Sequence, residues 1–265
     1  MTSCPRILIF DSGLGGLTVF APVAQARPDA ELIYVADDAL FPYGDLSERA
    51  LVERVVGLMN DLGAEFAPDL VVIACNTAST LVLGPLRARF PALPFVGTVP
   101  AIKPAALASR SKLVSVLATP GTVARDYTHA LIREFAGDCE VTLVGARRLA
   151  QIAERALRGE PAAEGEIAAE IAPGFVERQG RRTDQIVLAC THFPLLVERL
   201  RAAAPWPVEF VDPAPAIARR VDVLLGPVRP VRPAAPAYAK FTSGRAPSIA
   251  LQKALLARGL TISSA

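Results

Sequence analysis

The chain has 265 residues, of which 52% are hydrophobic and 20% are charged, and its formal net charge at pH 7 is +2. This composition is typical of a globular protein with a substantial core and excludes a disordered chain. Basic residues form no block and do not alternate with aromatic residues, so we expect no nucleic-acid partner. No apolar run approaches the roughly 18 residues of a membrane span, and we expect no signal peptide. A cytoplasmic protein with reduced thiols is therefore predicted.

Short apolar runs alternate with helical patterns in the first part of the chain. Each run of four to six apolar residues indicates a buried strand, and the longer segments with apolar residues at helical spacing indicate helices. A glycine-rich turn follows the first strand, and a helix then ends near residue 25. Strands are predicted at residues 6–10, 32–36, 70–74 and 93–97, and further helices at 48–66 and 77–90.

The same alternation restarts after residue 112. Strands are predicted at 113–118, 141–144, 186–189 and 208–211, and helices at 123–135, 146–157, 163–179 and 194–203. The tail is predicted to hold a helix at 212–225, a loop rich in Pro and Arg at 227–236, a strand at 238–241 and a helix at 248–258. Alternating strands and helices predict an α/β fold with parallel sheets.

Two stretches of the sequence share one layout, in which an apolar strand runs into Ala-Cys and then into polar residues. Cys75 precedes Asn76 in the first stretch, and Cys190 precedes Thr191 and His192 in the second. Polar residues directly after a parallel strand lie at its carboxyl end, where open α/β sheets bind ligands. The fold class predicted is therefore two pseudo-symmetric α/β domains with the active site in the cleft between them.

Several chemistries use cysteine, and the pattern favours one of them. A metal site needs three or four Cys or His ligands, so none is expected. A Cys–His hydrolase needs one nucleophile, and a redox pair places its sulfurs within bonding distance. Two thiols on opposite walls of a cleft suit proton transfer at the two faces of one carbon. Cys4 and Cys139 have no such context and are interpreted as small packing residues.

Other residues near the ends of these strands can assist the thiols or bind a carboxylate. Asp11 and His192 follow strands and can orient or deprotonate a thiol, although each could instead cap a helix. Asn76, Thr77 and Thr191 offer hydroxyl, amide and backbone donors, with helix capping as the alternative. The glycines of the first turn do not have the G-x-G-x-x-G spacing, so a dinucleotide is not expected.

Five motifs in chain order resemble those of the glutamate racemases, within the aspartate/glutamate racemase superfamily. They cover most of residues 6–225, and together they are far more specific than any one of them. The motifs are Phe10-Asp11-Ser12-Gly13-Leu14-Gly15-Gly16-Leu17, Pro42-Tyr43-Gly44, Ala74-Cys75-Asn76-Thr77-Ala78, Ala118-Thr119-Pro120-Gly121-Thr122 and Ala189-Cys190-Thr191-His192-Phe193-Pro194-Leu195.

The resemblance implies interconversion of L- and D-glutamate without a cofactor or a metal, supplying D-glutamate for peptidoglycan. It assigns the acid/base roles to Cys75 for the D-enantiomer and to Cys190 for the L-enantiomer. It also implies a homodimer and two domains, residues 1–98 with 212–265 and residues 99–211. A racemase for another acid, such as aspartate or a hydantoin, and a non-catalytic amino-acid-binding protein remain the alternatives.

The resemblance also identifies assisting and substrate-binding residues. Asp11 and His192 match assisting residues, and Glu154 matches an assisting glutamate, although Ala146-Arg147 replaces the usual Cys-Pro before it. The tail departs from the usual pattern around Thr242-Ser243-Gly244-Arg245. The predicted substrate contacts are Asp11, Ser12, Tyr43, Gly44, Asn76, Thr77, Thr119, Thr122, Thr191 and His192.

Overall fold

A computed structural model describes residues 4–160, 162–228 and 236–262. The strands in chain order are β1 (Arg6–Asp11), β2 (Glu31–Ala36), β3 (Leu70–Ile73), β4 (Phe95–Gly97), β5 (Leu113–Ala118), β6 (Glu140–Gly145), β7 (Glu177–Arg178), β8 (Arg181–Arg182), β9 (Gln185–Ala189), β10 (Glu209–Val211), β11 (Ala237–Phe241) and β12 (Leu260–Ile262).

Helices connect most of these strands. In chain order they are α1 (Leu17–Ala26), α2 (Glu48–Phe66), α3 (Asn76–Arg89), α4 (Ile102–Ala108), α5 (Pro120–Val123), α6 (Asp126–Phe135), α7 (Leu149–Leu157), α8 (Glu164–Ile171), α9 (Val197–Ala203), α10 (Ala214–Leu225) and α11 (Ile249–Leu256). Short 3₁₀ turns lie at Tyr43–Asp45, Ala172–Gly174 and Phe193–Leu196. No helix within the described residues is long and apolar enough to cross a membrane.

Two separate parallel sheets organise the described chain. The first has the strand order β12-β11-β2-β1-β3-β4, and the second has the order β10-β9-β5-β6. Every neighbouring pair in both sheets is parallel. The predicted α/β class with two parallel-sheet units is thus confirmed. We call the first sheet and the helices packed on it the six-stranded unit, and the second sheet and its helices the four-stranded unit.

Successive side chains of a strand point to opposite faces of its sheet, and in these strands both sets are apolar. Each sheet is therefore covered on both faces. In β1, Ile7 and Ile9 pack into one apolar cluster, while Leu8 and Phe10 pack into another on the opposite face. The four-stranded unit likewise has one apolar cluster on each face of its sheet. Each such side chain contributes about 1.5–3 kcal/mol when it is fully buried. Parallel strands that are apolar on both faces require helices on both sides of the sheet to shield them from water.

The helix predicted at 163–179 is wrong in its second half. Helix α8 ends at Ile171, a 3₁₀ turn follows, and β7 and β8 form an antiparallel hairpin. The two turn residues Gln179 and Gly180 both have positive φ, at 52° and 75°. That geometry defines a two-residue hairpin turn, in which glycine carries little steric cost. The turn formed by the local Gln-Gly pair therefore decides the structure of this segment, and the helical spacing of the apolar residues before it does not.

Other differences are smaller. The helix predicted at 123–135 is two helices, α5 and α6, because Arg125 between them is extended, with φ −79° and ψ 134°. Helix α4 and strand β12 were not predicted, and β12 adds an edge strand next to β11. The predicted strand at 238–241 is confirmed as β11, which pairs with β2.

Residues 229–235 of the predicted 227–236 loop lie outside the described residues. The domain boundaries at 98/99 and 211/212 stay a prediction.

Candidate active site

The two cysteines stand at equivalent places in the two sheets. Cys75 follows β3, which neighbours β1, and it is the N-cap of α3. Cys190 follows β9, which neighbours β5, and a 3₁₀ turn begins three residues later. Both side chains are nearly buried, with 6% and 7% of their surface exposed. The paired layout seen in the sequence is therefore a paired position at the carboxyl ends of two central strands.

Both thiols line one small cavity of about 30 Å³. This volume is far below the roughly 300–1,000 Å³ of small-molecule sites, and we therefore call the conformation described closed. Among the predicted residues, Asp11, Thr122 and Glu154 do not line it and lie behind residues that do. The lining residues are Ser12, Phe41, Pro42, Tyr43, Gly44, Cys75, Asn76, Thr77, Thr119, Ala150, Cys190, Thr191 and His192.

The glycine-rich turn after β1 packs directly against the four-stranded unit. The Gly15 N–H lies 3.2 Å from Nε2 of His192, and the Thr18 hydroxyl donates to the Thr191 carbonyl at 3.0 Å. A Cβ at Gly15 would lie 2.7 Å from the Thr191 hydroxyl oxygen. A side chain there would collide with the second cysteine segment. The glycine is thus required for close contact between the units, and no dinucleotide role is needed to explain it.

The Cys75 thiol lies in an uncharged pocket backed by a carboxyl group. Its sulfur is 3.6 Å from the Ser12 hydroxyl. Burial, and then the negative charge of Asp11, raise the pKa of Cys75 far above its ordinary value of 9.0. Oδ2 of Asp11 accepts the Gly16 N–H at 2.8 Å, whereas Oδ1 is buried without a hydrogen-bond partner in the described structure. Burial also raises the pKa of Asp11.

The Cys190 thiol instead has a charged neighbour. Its sulfur is 3.8 Å from Nδ1 of His192, and Nε2 of that ring is 2.9 Å from Oε1 of Glu154. The Leu14 N–H donates to the same oxygen, and Arg158 pairs with the other one at 3.2 Å. Burial alone would lower the pKa of His192, but hydrogen bonds to Cys190 and Glu154 raise it well above 6.5. Its two hydrogen-bond partners therefore favour the charged form of the ring.

Uncharged donors and acceptors complete the cavity. Both side-chain atoms of Asn76 are buried, and neither has a hydrogen-bond partner in the described structure. A buried amide without partners is costly, so this pair of atoms favours a polar ligand. The Thr77 hydroxyl lies 3.1 Å from that of Thr119 and 3.4 Å from that of Thr122. This threonine cluster joins α3 of one unit to the residues after β5 of the other.

Tyr43 lines the cavity, but its hydroxyl is already engaged. It donates to Oδ2 of Asp37 at 2.6 Å, and Asp37 also accepts from Arg54 at 2.6 Å and from the Thr242 hydroxyl at 2.5 Å. The loop that carries Tyr43 and Gly44 is therefore fixed from behind by a buried carboxylate. Tyr43 can offer its ring and its backbone to a ligand, while its hydroxyl holds the loop in place.

Sequence reasoning missed part of this cavity. Phe41, Pro42 and Ala150 line it, although only Pro42 belonged to a recognised motif. The ring of Phe41 lies 5.3 Å from that of His192. The role of Asp37 had one local signal, because it directly follows a predicted strand. No signal in the sequence connected it to Thr242, which lies more than 200 positions away.

Metal binding finds no support in the geometry. Within the described ranges, no three or more His, Cys, Asp or Glu side chains are grouped so that they could hold a metal ion. The four cysteines are all free thiols. The site therefore consists of two thiols, a His–Glu pair beside one of them, a buried aspartate near the other and a set of neutral donors.

Two matched parallel sheets, each of which brings one thiol to a shared cavity, are compatible with an isomerase whose active site lies between two α/β units. A family model described as Asp/Glu/Hydantoin racemase matches residues 18–221. The chain belongs to this family of racemases, and the predicted resemblance is confirmed.

The similar proteins are named glutamate racemases. One from Brucella canis is 58% identical over 219 residues, covering 83% of this chain and 79% of the relative. One from Sinorhizobium fredii is 52% identical and covers 100% of this chain and 99% of the relative. The crystal structure of the Escherichia coli glutamate racemase, in complex with L-glutamate and the activator UDP-MurNAc-Ala, is 39% identical with a TM-score of 0.89. That match covers 97% of this chain and 96% of the other.

Proposed function

We propose that this protein interconverts L- and D-glutamate by moving a proton between the two faces of Cα, with one thiol serving each face. The observation that carries the proposal is that Cys75 and Cys190, from equivalent positions in two sheets, line the same closed cavity. The choice of glutamate is supported by relatives of that name at 52% and 58% identity. The choice of thiols over other groups is supported by their matching places, because Cys75 and Cys190 each follow a central strand of one sheet.

The surroundings of the two thiols suit opposite roles. Cys75 is a neutral thiol at neutral pH because burial and Asp11 raise its pKa. The imidazolium of His192 can donate from Nδ1 to the Cys190 sulfur and so stabilise a thiolate there. A thiolate at Cys190 removes the Cα proton of L-glutamate, and the thiol of Cys75 delivers its own proton to the opposite face. The product is D-glutamate, Cys190 is left as the thiol, and Cys75 is left as the thiolate.

The Cα proton is much less acidic than a thiol, so the negative charge that develops must be stabilised. Preorganised donors in a site that excludes water can supply this. The two unpartnered atoms of Asn76 and the hydroxyls of Thr77 and Thr119 are such groups. We place a substrate carboxylate against them, because a carboxylate conjugated with Cα accepts part of the developing charge.

Exchange of the Cα proton with solvent tests the proposal directly. In D₂O the protein should wash deuterium into Cα of either enantiomer without added pyridoxal phosphate, and optical rotation should decay to zero. Cys75→Ala and Cys190→Ala should each reduce racemisation by about 10²–10⁴-fold, the usual contribution of a general acid or base. Cys139→Ala is the matched control, because Cys139 is a free thiol outside the cavity. Circular dichroism would confirm that all three variants fold.

Each result has a clear consequence. Full racemisation in either the Cys75 or the Cys190 variant would eliminate the two-thiol mechanism. Absence of both exchange and racemisation in the wild-type protein would eliminate glutamate as the substrate. Aspartate and a hydantoin should then be assayed, since the family description includes both.

The cellular role proposed is supply of D-glutamate for peptidoglycan. A gene for this protein should then restore growth of a bacterium that requires external D-glutamate, and the gene for Cys190→Ala should not. Growth restored equally by both genes would contradict the role. The homodimer and the cytoplasmic location stay predictions.

A further inference from the structure

A second cavity adjoins the closed one and leads outward from it. It has a volume of about 270 Å³ and shares four lining residues with the thiol cavity: Pro42, Gly44, Thr119 and Ala150. Its remaining lining residues are Asp45, Pro120, Ala146, Arg147 and Gln151. We call this space the vestibule. Because it shares a wall with the thiol cavity and is far larger, it is the natural place for a small substrate to arrive first.

The charges around the two spaces differ sharply. No Lys or Arg lines the thiol cavity, and the carboxyl groups of Asp11 and Glu154 lie just behind its wall. A dicarboxylate approaching that cavity therefore meets mostly neutral donors, with His192 as the nearest positive charge. In the vestibule, Arg147 is the one cationic side chain in the described lining.

Arg147 is also free to bind an anion. Its side chain is exposed, and no ion pair or hydrogen bond engages its guanidinium within the described residues. Its neighbour Arg148, by contrast, pairs with Glu166 and Glu170 at 3.6 and 3.5 Å. A guanidinium presents a rigid fork that matches a carboxylate with two parallel hydrogen bonds. Asp45, the carboxylate in the same lining, would repel an anion and attract an ammonium group.

We propose that the vestibule is an encounter site for the amino-acid substrate, in which Arg147 binds a substrate carboxylate before the cleft admits the molecule to the two thiols. The proposal rests on the proposed function for its ligand, an acidic amino acid. Arg147 lies at the position where the resemblance leads one to expect a Cys-Pro pair. Its role in this proposal is binding, and it takes no part in proton transfer.

Steady-state kinetics with glutamate test the proposal, using Arg147→Ala, Arg147→Lys and Arg147→Glu. At low ionic strength we expect KM to rise about threefold to fivefold in Arg147→Ala with kcat unchanged, because an exposed ion pair of good geometry is lost. Arg147→Glu should raise KM further, and Arg147→Lys should restore part of the loss. The differences should shrink in concentrated salt, where the screening length falls from about 10 Å at 0.1 M to about 3 Å at 1 M.

Arg148→Ala is the matched control, since it removes the same charge at the next residue, away from the vestibule. Equal KM values in Arg147→Ala and Arg148→Ala at low salt would overturn the proposal, and so would a loss confined to kcat. Binding of glutarate, measured by calorimetry, repeats the comparison without turnover, because glutarate has both carboxylates but no amino group. If wild type does not racemise glutamate, the proposed function fails. If wild type is active and Arg147→Ala matches Arg148→Ala in both assays, only the encounter site fails.

Discussion

At the scale of single residues, the two thiols are chemically unequal although their backbone positions correspond. Cys75 has the Ser12 hydroxyl and the carboxyl group of Asp11 beside it, whereas Cys190 has the His192 ring, which is held by Glu154. The two cysteines therefore have different electrostatic neighbours at corresponding places in the two sheets.

Replacing Glu154 by Gln should lower the pKa of His192. The carboxylate favours the charged ring, and the amide of Gln is a neutral and weaker acceptor for one of the two hydrogen bonds that raise this pKa well above 6.5. The chain has two histidines, and the exposed His129 provides a second ring signal in the same spectrum. An NMR titration of the imidazole carbons should show His192 deprotonating at lower pH in Glu154→Gln. An unchanged titration would mean that Glu154 does not control the charge of the ring.

Asp37 makes the complementary case, a carboxylate whose pKa is lowered. Burial would raise this pKa, but hydrogen bonds from Arg54, Thr242 and Tyr43 hold it below 3.8. The stability gained from its ionised form is present above about pH 4 and is lost as pH falls through the lower folded-state value. At pH 7, Asp37→Asn should reduce the free energy of unfolding by about 2–3 kcal/mol.

Urea titrations at several pH values check this expectation. The gap between wild type and Asp37→Asn should begin to narrow below about pH 4 and should close once the pH is below the lowered folded-state pKa, where wild type also lacks the charge. Asp61→Asn, on the exposed face of α2, is the control and should follow wild type at every pH. A gap that stays constant down to the acid transition would show that shape, and not charge, is what Asp37 contributes.

At the scale of secondary-structure elements, the glycine-rich turn after β1 sets how closely the two units approach. Gly15→Ala should reduce kcat/KM about tenfold to a hundredfold, because overpacking a close contact costs about 1–3 kcal/mol. Gly57→Ala is the control, since a Cβ at Gly57 in α2 meets no atom within 4 Å and alanine favours a helix. Racemisation assays and thermal unfolding of both variants check the prediction. Equal activity in the two variants would mean that the units need not approach this closely for catalysis.

The sequence predicted those elements whose cause is local. Strand β3 and the residues after it follow from an apolar run ending in small polar residues, and so does the matching segment at Cys190. Sequence reasoning failed where contacts distant in the chain decide the structure. The hydrogen bond from the Tyr43 hydroxyl to Asp37, which also accepts from Thr242, was not predicted. The hairpin after α8 is an exception, because its cause is the local Gln179-Gly180 turn and it was still missed beside a helical pattern. Glu154, the weakest motif match, lies within hydrogen-bond distance of His192.

At the scale of the whole molecule, the closed cavity of about 30 Å³ requires that the units separate to admit a substrate. An ion pair joins the two units: Arg125, between α5 and α6, pairs with Glu48 at the start of α2. The Arg125 side chain is mostly buried, and its Nε has no hydrogen-bond partner in the described structure. The pair is therefore a contact that the closed state has and a separated state loses.

Breaking this pair should shift the protein toward the open state. Glu48→Gln should raise KM for glutamate by up to about fivefold, since the Glu48 side chain is 66% exposed and an ion pair with an exposed partner contributes about 0.2–1 kcal/mol. X-ray scattering should show a larger radius of gyration for the variant without substrate. Exchanging the charges, with Glu48→Arg and Arg125→Glu together, should recover part of both effects. Glu53→Gln removes a similar pair with Arg49 that lies within α2, so it should leave KM and radius unchanged. If Glu48→Gln and Glu53→Gln behave alike, closure of the cleft is independent of the Arg125–Glu48 pair.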